Sequence, residues 1–265
     1  MSRTLRWLSV ALLVLLAWPA WSAGRSGAVV LHGKAESPDR VADLVSALQR
    51  ENVFVAAPEV PWSGRRRYDR SVPEADQEID AVIAGLRDQG ARRVYLIGHG
   101  IGASYALRYG SRPGVTGIVA IAPDHAPESP LYVNSFANDI RRARDLITSG
   151  KPQALFDFLD LFWGNQRGRA TTTARSFLSY FDADGPMNMT RNVQALRRDV
   201  LVLWIVPLGG ERGVRQSTLD LYQRLPPNPG NRLLELPVQF TRVASAAVPA
   251  IVEWMRDTVA FLPSE

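Results

Sequence analysis

The chain has no cysteine, which excludes disulfides, a thiolate nucleophile and a lipid-modified cysteine. Histidine is scarce and lopsided: His32, His99 and His125 are the whole supply, so the C-terminal half offers no imidazole as a base or metal ligand. Lysine is nearly missing too, with Lys34 and Lys151 set against a large excess of arginine. Those arginines are scattered rather than gathered in a stripe with aromatic residues, which argues against nucleic-acid binding. No H-x-x-x-H pair or other close ligand spacing occurs, so neither a metal nor another cofactor is expected. There is no internal repeat and no low-complexity tract. What the chain does have is 265 residues with 46% hydrophobic content, enough for one sizeable core.

At the N-terminus, Arg3 and Arg6 precede the apolar run from Leu8 to Trp18, and the small residues Ala20, Ser22 and Ala23 follow it. That is the three-part layout of a secretory signal peptide over residues 1–23, and the run is short for a membrane span. The expected location is periplasmic or secreted, with cleavage after Ser22 or Ala23 and membrane attachment only through an uncleaved leader. Losing Arg3 and Arg6 takes the formal charge from +5 to +3. One domain is expected over residues 24–265.

Apolar runs alternate with helical periodicities along the mature chain. Strands are expected at Ala28 to Leu31, Val53 to Ala57, Arg93 to Ile97, Val115 to Ala122, Val200 to Val206 and Leu233 to Leu236. A helix begins after Ser37 with Pro38 at its first position, and Val41, Leu44, Val45 and Leu48 form its apolar face. Ser71 and Glu74 have capping-box spacing ahead of a helix that buries Ile79, Val82, Ile83 and Leu86 and stops at Gly90. Further helices are expected from about Val214 to Leu225 and at the chain end, where Val248, Ile251, Val252, Met255 and Val259 share a face. Continuously apolar strands between helices imply a parallel sheet covered on both faces, with ligands bound at the strands' carboxyl ends. Between about 125 and 198 the rhythm is interrupted by helical and loop sequence, including Leu131 to Ser149 and the aromatic stretch Phe156 to Trp163. This insertion is expected to form a cap over the site.

The segment from Val94 to Tyr109, VYLIGHGIGASYALRY, reads as a buried strand, a tight turn with Gly98, Gly100 and Gly102, and an apolar-faced helix. With VVLHGK at Val29 to Lys34, PWSGRRRYDRS at Pro61 to Ser71, GIVAIAPDH at Gly117 to His125 and FLSYFDADGPMNM at Phe177 to Met189, it resembles the α/β-hydrolase superfamily, in particular small secreted bacterial members. The resemblance covers nearly all of the mature chain. It implies an α/β-hydrolase fold with a mostly parallel sheet of about six strands, flanking helices and a helical cap. In the superfamily the middle of G-x-S-x-G is the nucleophilic serine, and here it is Gly100, which has no side chain. The triad acid falls after Val206, where Glu211 is the one candidate, and the base falls just after Leu236-Pro237, where Gln239 is nearest. The backbone oxyanion donors, at Ile101 and at Gly33 or Lys34, need no particular side chain and survive.

The remaining polar residues leave several readings open. His32, His99 and His125 lie at the carboxyl ends of neighbouring strands and, with Asp124, are pocket candidates, although each also has a local packing role. Asp124-His125 could supply a base for attack by water, although adjacent residues at a strand end point apart. Ser104 belongs to the helix and faces away from the oxyanion donors. Trp62, Arg65 to Arg67 and Tyr68 form a basic loop near the mouth, either solvated or able to bind an anionic or aromatic ligand. Phe156, Phe158, Phe162 and Trp163 read as cap core. The leading expectation is a hydrolase scaffold without serine-hydrolase activity that binds a small ligand in the residual pocket. The alternatives are a divergent hydrolase of small carboxylic esters with an unusual base, such as His125 or Glu211, and a protein-interaction module using the cap and the basic loop.

Overall fold

The computed structural model describes residues 26–162, 166–209 and 212–258. The signal segment at 1–23, Trp163 and Glu211 lie outside the described residues. Eight strands are described in chain order: β1 (Ser26–Leu31), β2 (Phe54–Ala56), β3 (Arg93–His99), β4 (Gly117–Ile121), β5 (Leu155–Phe162), β6 (Gln166–Thr173), β7 (Leu201–Gly209) and β8 (Arg232–Gln239). Six of them form one sheet in the order β2-β1-β3-β4-β7-β8, and every pair in it is parallel.

The described helices are α1 (Ala42–Arg50), α2 (Val72–Asp88), α3 (Ile101–Tyr109), α4 (Pro130–Thr148), α5 (Ala174–Phe181), α6 (Met189–Gln194), α7 (Arg212–Tyr222), α8 (Phe240–Ala246) and α9 (Val248–Thr258). A 3-10 turn at Pro38–Val41 leads into α1. Among the described residues no helix is long and apolar enough to cross a membrane.

Strands β1, β3 and β4 are buried along their whole length, which is why they read as unbroken apolar runs rather than alternating ones. Successive side chains still point to opposite faces. Val29, Leu31, Leu96 and Ile118 face the core shared with α2, α3 and the insertion. Ala28, Val30, Ile97 and Val119 face the second core, made with α1, α8 and α9. The capping box ahead of α2 forms as its spacing implies, with the Ser71 amide donating to Glu74 Oε2 at 2.7 Å.

The insertion between β4 and β7 contains α4, α5 and α6, as its helical sequence suggests, and also an antiparallel hairpin, β5–β6. Here the structure adds strand where helix or loop was expected. The β6 sequence is rich in threonine and carries no apolar alternation, so periodicity does not betray it. The hairpin packs against α5 through Phe158, whose ring stacks on Phe177 with centroids 4.2 Å apart, and Phe177 stacks in turn on Phe181 of the same helix at 4.9 Å. The guanidinium of Arg142 covers Phe156 at 3.9 Å.

Candidate functional site

Strand β3 ends at His99 and α3 begins at Ile101, so one residue makes the whole turn. That residue, Gly100, has φ 57° and ψ −123°, a conformation costly for any side-chain-bearing residue. Its amide is tied to Ile121 O at 3.0 Å, and its carbonyl accepts from Ala103 N at 3.0 Å and Ser104 N at 3.1 Å. The elbow is therefore held by main-chain contacts. As the first residue of α3, Ile101 has an amide without an acceptor inside the helix. Of the other backbone donors expected nearby, Gly33 N is already committed to Glu36 Oε2 at 2.8 Å. That leaves the amides of Lys34 and Ile101.

A Cβ built on Gly100 would meet two groups: Asp124 Oδ1 at 3.3 Å and the Phe240 ring at 3.5 Å. The sequence expectation at the base position was Gln239, and the structure moves it by one residue. Strand β8 runs on through Gln239, whose amide lies 2.9 Å from a Cβ placed on Gly209, so Phe240 is the residue turned toward Gly100. The ring nearest the Gly100 Cβ position is thus a hydrocarbon, which cannot take up a proton. Phe240 also packs on His99, with ring centroids 4.7 Å apart.

Asp124 follows β4 and is open to solvent, yet protein atoms crowd it. That crowding is the main cause of a carboxyl pKa raised above its ordinary value, with Lys34 and His99 pulling the other way. Its carboxylate also accepts from its own backbone N–H.

The three histidines do not converge. His32 is fully buried, with Nδ1–H donating to Gly33 O at 2.9 Å and Nε2 accepting from Val60 N at 3.4 Å. Burial lowers its pKa, and its two ring contacts make it a strut for the loop after β1. His125 is equally buried, with Nε2–H donating to Tyr180 O at 2.7 Å and Nδ1 accepting from Tyr132 at 3.2 Å. Both ring nitrogens are spent, so His125 offers no base to the crevice. Ser104 Oγ accepts from His125 N at 3.1 Å, which commits that hydroxyl as well. His99 is different. Its Nδ1 lies 3.5 Å from Glu36 Oε2, and its buried Nε2 has no partner among the described residues. It borders a cavity of about 200 Å³ with Glu36, Arg40 and Thr241. Burial opposes the charge on Glu36, but the His99 and Gly33 contacts outweigh it and hold the carboxyl below its usual range. Among the described residues no three acidic or histidine side chains are placed to hold a metal.

Burial, with Lys34 adding to it, depresses His125 to about 3. Its folded pKa lies below its unfolded value, so between pH 6.5 and 3 the unfolded chain binds the extra proton. Stability should therefore fall as pH drops through that window, by about 2 kcal/mol between pH 6.5 and 5 from this residue. Chemical denaturation at those two pH values should show the loss in the wild type and a clearly smaller one in His125→Gln. Equal losses would remove His125 as the cause.

The ammonium of Lys34 is bound to the cap, although its charge still reaches Asp124. Its Nζ donates to Asp160 Oδ1 at 2.8 Å and to Leu161 O at 2.9 Å, and it sits 5.2 Å from the Phe181 ring centre. Burial would lower its pKa, but Tyr132 and Asp160 prevail and raise it. Asp160, buried on β5, also accepts from Tyr68 at 3.2 Å and from Leu161 N at 2.9 Å. The loop after β1 is thereby pinned to the cap hairpin. The basic loop is likewise committed: Arg66 forks onto Glu78 at 2.7 Å from both nitrogens, and Trp62 Nε1 donates to His32 O at 2.9 Å. Phe240 and Asp160 went unnoticed in the sequence, because one looks like core and the other sits inside an apolar run.

Residues 28–258 match the model of the alpha/beta hydrolase family, and the chain belongs to that family. Among solved structures it is similar to one of the metagenome-derived lipolytic enzymes LipS and LipT, with 14% identity, TM-score 0.60, and 89% of this chain and 95% of that one covered. It is also similar to a monoacylglycerol lipase from Paleococcus ferrophilus, with 20% identity, TM-score 0.59, and 87% and 96% covered. A third is the enol-lactonase of Burkholderia xenovorans LB400, with 13% identity, TM-score 0.52, and 88% and 92% covered. No curated protein matches the chain by sequence. At these identities the likeness speaks for the fold.

Proposed function

We propose that this chain is an α/β-hydrolase-fold protein that has given up serine chemistry and uses the crevice at Gly100 to bind a small molecule. The observation that carries this reading is the pairing of Gly100, which has no nucleophile, with Phe240, which cannot take a proton and whose ring stands 3.5 Å from a Cβ placed on Gly100. Acyl transfer by serine needs both parts within hydrogen-bond reach. The backbone donors at Ile101 and Lys34 do not depend on either side chain, so a carbonyl oxygen can still be held there.

One observation favours a second reading. Asp124 Oδ1 stands 3.3 Å from the missing Cβ, where a carboxylate could activate water against a small carboxylic ester. Hydrolysis of short-chain p-nitrophenyl esters separates the two. No turnover above the buffer rate is expected from the wild-type protein or from Gly100→Ser, because the serine would lack a base. The same variant should lose about 1 to 3 kcal/mol of stability, since it forces a side chain into the left-handed turn. Wild-type turnover that disappears in Asp124→Asn would establish the second reading instead, and activity gained by Gly100→Ser alone would reveal a base not accounted for by Phe240.

A further inference from the structure

Six large apolar side chains are exposed among the described residues, and four of them, Leu131, Val133, Ile147 and Leu155, lie on α4 or at the start of the strand after it. Helix α4 turns Tyr132, Phe136 and Ala143 into the domain. Beside them runs a second row, Val133, Ala137, Ile140, Arg144 and Ile147, at alternating steps of four and three, which is the spacing of a coiled-coil seam. Ile140 is half-buried, while Val133 and Ile147 are 46% and 40% exposed. The row forms one wall of a cleft of about 430 Å³, with Phe181 and Ala183 on its other side. Gly100, Asp124 and Phe240 take no part in this cleft, so it is separate from the crevice described above.

The charges at the rim decide what fits there. Arg144 is spent within the chain, donating to Asp182 Oδ1 at 2.8 Å, with Asp184 3.7 Å away. Arg141 and Asp145 are not spent: neither side chain has an ion pair or hydrogen bond among the described residues, although they stand one turn apart on α4. A cation placed before an anion is the weaker order for such a pair within one helix. A lipid surface would call for cations alone beside the apolar row, whereas one unspent charge of each sign suits a surface that meets its own copy. We propose that α4 pairs in antiparallel fashion with α4 of a second copy of this chain, each helix entering the cleft of the other. The register that sets Ile147 against Ala137 and Ile140 against Arg144 of the other copy brings Arg141 opposite position 143, about 3 Å along the axis from Asp145. The twofold axis repeats that contact, so two Arg141–Asp145 pairs flank the apolar seam. Arg144, its head held by Asp182, contributes the apolar part of its stem. A contact built mainly on one helix per copy belongs at the small end of specific interfaces, below roughly 1,200 Å², so the dimer dissociates on dilution.

Sedimentation velocity of the full chain over a wide range of concentration is the test. The wild type should sediment as a dimer when concentrated and as a single chain when dilute. Ile147→Glu, at an exposed position, should weaken the dimer at least about tenfold, and so should Arg141→Glu, which sets two acids against each other twice. Arg141→Glu/Asp145→Arg restores opposite charges across the seam and should bring the dimer back close to its wild-type strength. Thermal melts at a dilution where every form is a single chain confirm that the variants are folded. A single-chain mass at every concentration overturns the proposal. A dimer that survives Ile147→Glu overturns it too, because the contact then lies elsewhere, and a double variant that stays as weak as Arg141→Glu overturns the antiparallel register. Flotation with phosphatidylglycerol vesicles covers the other occupant: binding that Ile147→Glu abolishes, in a protein that forms no dimer, would overturn the proposal in favour of a lipid surface.

Discussion

Gly98→Ala should cost this protein at least about 4 kcal/mol, a loss that leaves it partly unfolded at room temperature. Gly98 lies on β3 where the first turn of α3 crosses it. A Cβ there would stand inside the Gly102 carbonyl group and 2.5 Å from Ala103 N. Both obstacles are main chain, so no rotamer change relieves the overlap, and either the strand or the helix has to shift. Overpacking against movable side chains typically costs about 1 to 3 kcal/mol, and this case lies beyond that range. Urea denaturation of the purified variant is the check. A midpoint within experimental scatter of the wild type would mean that β3 and α3 are not as closely joined as the structure shows.

Lys34→Met should be the next most damaging change, at about 3 to 5 kcal/mol, because it strands the Asp160 carboxylate in the interior. The side chains of Lys34 and Asp160 are 12% and 4% exposed, so solvent cannot take over the lost contact. A double-mutant cycle isolates the pair. Lys34→Met/Asp160→Leu is expected to recover much of the stability lost by the single variant, since an apolar pair can replace a buried ion pair with little loss. If the double variant is less stable than Lys34→Met, Asp160 is held chiefly by Tyr68 and the Leu161 amide, and the ion pair is secondary.

The parts of this molecule that were legible in its sequence are those governed by local chemistry. Buried parallel strands need apolar residues on both faces, so β1, β3 and β4 stood out, although β4 is shorter than its apolar run. The Ser71 and Glu74 capping box needs only a spacing of three, and it forms as written. Gly100 was visible because a turn of this kind advertises its glycines. What stayed hidden depends on register or on contacts far along the chain. Whether Gln239 or Phe240 faces the crevice is decided by how far β8 extends past Leu236, and a strand continued by three residues changes which side chain turns inward. Asp160 finds Lys34 across 126 positions, a separation over which no periodicity carries information. Which of Asp124 and His125 turns toward Gly100 is decided by one side-chain direction at the end of β4, and sequence does not resolve that.

Every pairing in the main sheet joins strands with at least one helix between them, whereas β5 ends at Phe162 and β6 begins at Gln166, close along the chain. Closing long loops delays the first group, and the hairpin can assemble early on its own. Yet the hairpin carries Asp160, whose cation arrives only when the loop after β1 has been placed. The cap thus has to wait, with one charge still hydrated, for a segment that entered the chain long before it. Its final docking is a late event in assembly. Weakening that contact would then leave the folding rate nearly untouched and show itself as faster unfolding, so the cap latch would set the lifetime of the native state rather than the speed of reaching it.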